Sequence, residues 1–116
     1  MAENGYKNLI VWQKAVDLVV AVYKLTGNFP KEEILGVVSQ MRRAAISIPS
    51  NIAEGSRRKS AKDKAYFLTI SFGSGSELET QVEVSRRLSF GLSSDYVKVD
   101  ALIVEVMKML NKMISY

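Results

Sequence analysis

The chain has 116 residues, 47% of them hydrophobic and 24% charged, with a formal net charge of +4, which fits one globular domain long enough to bury a core. It contains no cysteine and no histidine, which excludes disulfides, thiolate and imidazole metal ligands, cysteine nucleophiles and a Ser-His-Asp triad. The longest apolar run, residues 18–23 between Asp17 and Lys24, is far short of the ~18 residues that cross a bilayer, and residues 1–7 are polar without a leader-like stretch, so a cytoplasmic protein with no membrane association is expected.

Apolar residues recur at spacings of three and four, and no stretch sustains strand-like alternation, so the reading is helical throughout. A first helix is expected from about residue 9 to residue 25. Trp12, Val16, Val19 and Tyr23 share one face, while Ile10, Val11, Leu18, Ala21, Val22 and Leu25 lie elsewhere around it, which is more apolar surface than one bundle seam requires. Thr26-Gly27-Asn28-Phe29-Pro30 reads as a stop and restart, with Gly27 suited to a left-handed C-cap and Pro30 to the next first turn. Glu32 and Glu33 favour that helix N-terminus.

The second helix carries Ile34, Val38, Met41, Ala45, Ile48 and Ile52 on one stripe. Pro49 falls inside it and is expected to kink the helix rather than split it at a new Ser47 cap, because the stripe stays in phase. Gly55 and Ser56 end the element. Ser60, with Asp63 three residues on, reads as the N-cap of a third helix reaching about residue 90. Its inner face holds Phe67, Ser71, Ser74, Gly75, Leu78, Val82 and Ser85, and a second face holds Tyr66, Ile70, Gly73, Val84 and Leu88 around Glu77. Gly91 ends it, Ser93 or Ser94 caps the next, and Tyr96, Val99, Ile103, Val106, Leu110 and Met113 form a fourth stripe. The expected fold is all-α: an antiparallel up-down four-helix bundle over residues 8–116, with residues 1–7 a flexible N-terminus.

Gly73-Ser74-Gly75-Ser76 lacks the lysine and the preceding strand of a phosphate loop, so close helix packing is the better reading. Charge is more informative. Between Arg42 and Lys64 seven basic residues face two acidic ones, a local +5 where the whole chain carries +4. Arg57, Arg58, Lys59, Lys62 and Lys64 are therefore candidate phosphate contacts, and Arg57 and Arg58 are expected at an exposed helix end where substitution leaves the fold intact. A polar cluster of Arg42, Arg43, Asn51, Glu54, Glu77 and Gln81 is a candidate structural network. Glu77 is expected to be partly or wholly buried and paired with Arg42 or Arg43, within or between subunits, because a carboxylate among apolar neighbours is costly without a partner. Nothing arranges two acids for hydrolysis, and no cofactor or metal site is evident, so a non-enzymatic protein is expected.

The residues Phe29-Pro30, Ser39-Gln40, Arg42-Arg43-Ala44-Ala45, Ser47-Ile48-Pro49 and Asn51-Ile52-Ala53-Glu54-Gly55 resemble the central signature of the four helix bundle proteins, also called the 23S rRNA-intervening sequence protein family. Val11-Trp12-Gln13-Lys14-Ala15 and Glu77-Leu78-Glu79-Thr80 are similar to its first and later blocks. The resemblance implies a ring-shaped homopentamer and kinship with the accessory variability determinant proteins of diversity-generating retroelements, which bind a reverse transcriptase and nucleic acid. It implies no catalytic activity. The expected function is thus an oligomeric bundle that binds RNA, or DNA, through its basic patch or scaffolds a nucleic-acid enzyme such as a reverse transcriptase. The alternative is an interaction module whose patch meets an acidic protein without nucleic acid.

Overall fold

Four helices account for most of the chain in a computed structural model that describes residues 5–115: α1 (Ile10–Thr26), α2 (Ser39–Ser56), α3 (Ala61–Arg87) and α4 (Ser93–Ile114). No strand occurs among the described residues. Short links make successive helices reverse direction, and the neighbours in space are α1–α2, α2–α3, α3–α4 and α4–α1. The product is an antiparallel up-down four-helix bundle, 44 Å long and 23 Å across. Of the expected flexible N-terminus, residues 1–4 lie outside the described residues. Gly5–Asn8 forms a 3-10 turn that sets Tyr6 edge-on against Trp12, 5.3 Å between ring centres.

The core is built from one stripe per helix. On α2 it is Met41, Ala45, Ile48 and Ile52, entered from Val38, and on α4 it is Tyr96, Val99, Ile103, Val106 and Leu110, all buried as their spacing implies. Met113, expected to extend the α4 stripe, and Ile34, expected to begin the α2 stripe, are exposed. On α1 the buried stripe is Val11, Ala15, Leu18, Val22 and Leu25, not the expected Trp12, Val16, Val19 and Tyr23. Both sets fit a 3.6-residue period. The chosen one includes Ala15, fully buried, where a small side chain lets the neighbouring helix approach.

Small residues on α3 serve the same purpose. Ser71, Gly75 and Ser85 are buried, and a Cβ on Gly75 would fall on the sulfur of Met107 from α4. Ser60 caps α3, its hydroxyl accepting from the Asp63 N–H at 3.0 Å, as its spacing implies. Neither Ser93 nor Ser94 caps α4. Leu92 occupies that position without a side-chain hydrogen bond.

Helix α2 runs unbroken through Pro49, so Ser47 caps nothing. Proline withholds the N–H that would bond the Ala45 carbonyl. The carbonyls beside the defect gain side-chain donors instead: Asn51 Nδ2 donates to Ser47 O at 2.9 Å, and Ser71 Oγ of α3 donates to Ile48 O at 2.9 Å. The irregular part of this region lies earlier. Lys31–Glu33 is a 3-10 turn, and Ile34–Val38 is kinked at Gly36, which departs from helical angles (φ −102, ψ −116). Gly27 adopts ordinary right-handed angles (φ −61, ψ −19) instead of the expected left-handed ones. No helix among the described residues is long and apolar enough to cross a membrane.

Candidate nucleic-acid interface

The basic stretch that dominates the charge balance does not form one patch. Arg42 and Arg43 lie in the first turns of α2, while Arg57 to Lys64 span the α2–α3 corner at its far end. Arg57 lies 14 positions after Arg43, which is about 20 Å at 1.5 Å per residue. The local +5 is therefore two clusters on one rod.

At the corner the five candidates behave differently. Arg58 donates from Nη2 to Glu54 Oε2 at 2.6 Å and lies over the Phe67 ring, 4.7 Å from its centre. Arg57 lies over the Tyr6 ring at 5.3 Å. Lys64 is half-buried and donates to the Ser56 carbonyl at 3.2 Å, closing the end of α2. Lys59 and Lys62 are exposed, and neither has an acidic partner within 4 Å among the described residues. The turn itself is tight: a Cβ on Gly55 would sit 3.1 Å from Phe67 Cβ. The corner thus presents two ammonium groups without an acidic partner among the described residues, flanked by two guanidinium groups each set over an aromatic ring.

The expected polar network is only partly assembled. Asn51, Ser47 and Ser74 form a chain, with Asn51 Nδ2 3.0 Å from Ser47 Oγ and the two serine hydroxyls 2.8 Å apart. Glu54 belongs to Arg58 at the corner. Within the protomer Glu77 is exposed rather than buried; its Oε2 accepts from Gln81 Nε2 at 3.3 Å, and among the described residues no arginine pairs with it within 4 Å. Glu77 of α3 and Arg43 of α2 instead both line a polar groove of about 490 Å³, together with Ser47 and Ser74. Leu78, the next residue on α3, is fully buried, which leaves Glu77 about 100° away, on the rim. Gln81 is the buried member, and its Oε1 finds no partner.

Arg42 turns the other way, towards α1. Its Nε donates to Thr26 Oγ1 at 2.9 Å, and its guanidinium lies 4.3 Å from the centre of the Tyr23 ring. Sequence reasoning offered Arg42 or Arg43 as the partner of Glu77 and missed Thr26 and Tyr23, because only the packing of α1 on α2 brings these two to Arg42.

With this geometry in place, comparison with known proteins is informative about ancestry. The family described as 23S rRNA-intervening sequence protein matches residues 7–112. Among solved structures, the bundle is similar to a crystal structure of a protein of unknown function from the S23 ribosomal protein family of Bacteroides thetaiotaomicron VPI-5482. That protein is 24% identical, covers 92% of this chain and 100% of its own, and superimposes with a TM-score of 0.81; at that identity the likeness concerns the fold alone. No curated protein matches the chain.

Proposed function

We propose that this chain, which belongs to the 23S rRNA-intervening sequence protein family, is a non-catalytic binding bundle that holds the phosphates of nucleic acid, RNA in preference, at the α2–α3 corner. The observation that carries the reading is the pair of exposed, unpartnered lysines, Lys59 and Lys62, set beside Arg57 and Arg58. Free ammonium groups attract phosphate without reading bases. No aromatic residue lies between Arg57 and Lys64 in sequence, which argues for backbone contact over base stacking.

Assembly into a ring-shaped homopentamer is part of the proposal. Large apolar side chains remain exposed on different sides of the protomer: Ile10 (62%) and Val20 (65%) on α1, Val97 (70%) on α4, and Tyr66 (62%) and Leu88 (57%) on α3. Two unlike apolar faces suit a head-to-tail contact, which closes into a ring. A ring would repeat the corner around its axis and add weak phosphate contacts by avidity.

Fluorescence anisotropy with two unrelated RNAs and one DNA, titrated across salt, tests the reading. Lys59→Gln with Lys62→Gln should weaken all three alike and flatten the salt slope by about 0.7–0.9 per lost contact. Light scattering should give five times the 12.9 kDa of the chain. Absence of binding at low salt, or binding indifferent to the lysine pair, would overturn the nucleic-acid reading, and a stable monomer would overturn the ring.

A further inference from the structure

A second groove, at the opposite end of α2, has the chemistry of a receptor for a carboxylate beside an apolar side chain. It holds about 580 Å³ between the end of α1, the α1–α2 link and the first turns of α2, within the roughly 300–1,000 Å³ range of ligand sites. Its walls carry three cations, Lys31, Arg42 and Arg43, and no carboxylate among the described residues. Three of the other arginines are paired: Arg58 with Glu54, Arg87 with Glu83, and Arg86 with Glu83 and Asp100; Arg57 lies over the Tyr6 ring without an acidic partner among the described residues. Lys31, Arg42 and Arg43 have no such partner within 4 Å among the described residues. Three like charges around one groove repel one another until an anion enters.

Arg42 is prepared for that anion. The Thr26 hydroxyl, itself buried, donates to Val22 O at 2.8 Å and accepts from Arg42 Nε at 2.9 Å. Tyr23 supports the guanidinium face at 4.3 Å, and its carbonyl takes a long bond from Nη2 at 3.5 Å. Two of the five N–H donors are thus used and three remain, on a group whose rotamer freedom is already spent. A carboxylate can take two of them side by side.

The rest of the groove is apolar. Ile34 and Ile46 line it and are 56% and 43% exposed, and the buried Phe29 and Val38 close it. These surfaces do not suit a nucleobase. Phe29 packs on Phe90 with 5.5 Å between ring centres, and Tyr23 already carries Arg42, whereas base stacking needs a free aromatic face.

We propose that this groove docks an acidic, apolar peptide segment of another protein, a carboxylate chelated by Arg42 and flanked by Lys31 and Arg43, with an adjacent apolar side chain between Ile34 and Ile46. The site is separate from the α2–α3 corner and does not depend on nucleic acid being bound there.

The test is selection of random 16-residue peptides displayed on phage against the full chain, with counter-selection on Arg42→Gln. Enriched peptides should carry Asp or Glu next to a branched or aromatic residue. A synthesised winner should lose at least about tenfold in affinity when its acid becomes the amide, and likewise against Arg42→Gln, as expected for a charge-assisted pair. Lys31→Gln with Arg43→Gln, both at exposed positions, should also weaken it and guards against a folding defect in the Arg42 variant. No enrichment, winners without acids, or binding indifferent to both variants would overturn the proposal. So would loss of RNA binding with Arg42→Gln, which would make the groove a phosphate site, or displacement of the peptide by a second copy of this chain.

Discussion

Thr26 and Arg42 are 16 positions apart in sequence and joined by a 2.9 Å hydrogen bond between a buried hydroxyl and a guanidinium Nε. The same hydroxyl donates back to Val22 O, so one side chain ends α1 and fixes an arginine of α2. Thr26→Val keeps the shape and removes both functions. It should destabilise by about 1–2 kcal/mol, the loss of a hydrogen bond to a charged group with the donor left facing a methyl. Urea unfolding measures it, and a change below about 0.3 kcal/mol would show that the pairing is incidental.

Gly73 and Gly75 are two residues apart on α3 and should respond with opposite signs. A Cβ at Gly75 meets Met107, so alanine there forces that side chain to move. The strain of about 1–3 kcal/mol outweighs the gain in helix propensity of roughly 1 kcal/mol. A Cβ at Gly73 meets nothing within 4 Å, so Gly73→Ala should stabilise by about 0.5–1 kcal/mol through the same propensity. Thermal melts of the two variants suffice. A loss at Gly73 would place a subunit contact on that face.

Glu77 is exposed and bonded only to Gln81 among the described residues. Glu77→Ala should therefore change stability by no more than about 0.5 kcal/mol. A loss of about 3 kcal/mol in the assembled protein would instead reveal an arginine partner on a neighbouring subunit.

Tyr96 is 5% exposed and its hydroxyl donates to Phe90 O at 2.6 Å. Burial raises its pKa above the ordinary tyrosine value, Asp100 adds to the rise, and Arg86 opposes it. The folded state thus holds this proton more tightly than the unfolded chain does. The stabilisation is fully present below the ordinary tyrosine pKa of about 10 and is lost as pH rises through the raised folded value. Denaturation midpoints measured from neutral to alkaline pH should fall above about pH 10. Tyr96→Phe should remove part of that fall, and an unchanged slope would contradict the assignment.

The stripes of α2 and α4 were legible because each has one apolar side and polar residues opposite, so only one rotation buries the right set. The Ser60 cap was legible because the accepting hydroxyl and the donating N–H of Asp63 are three residues apart. On α1, apolar residues at both Val11, Leu18, Val22 and Trp12, Val16, Val19 satisfy the same period, and only partners on α2 and α4 choose between them. Pairings across helices were the least legible. Arg42 and Arg43 are adjacent in sequence and about 100° apart around α2, so Arg42 turns to α1, Arg43 stays exposed on the rim of both grooves, and neither pairs with Glu77 among the described residues. The same rule explains why a summed charge over residues 42–64 overstated the patch: it added residues from both ends of a helix.

The backbone breaks at Gly36 (φ −102, ψ −116), so the lead-in Ile34–Val38 is kinked where it meets α2. Deleting Gly36 would remove the break and rotate Ile34 and Leu35 by about 100° relative to the α2 core. Leu35, now 93% exposed, would leave its outward position, while Val38 onward kept theirs. A single-codon deletion could thus re-aim the rim of both grooves without touching the four-helix core, which makes this kink the natural place for length variation to alter what the bundle recognises.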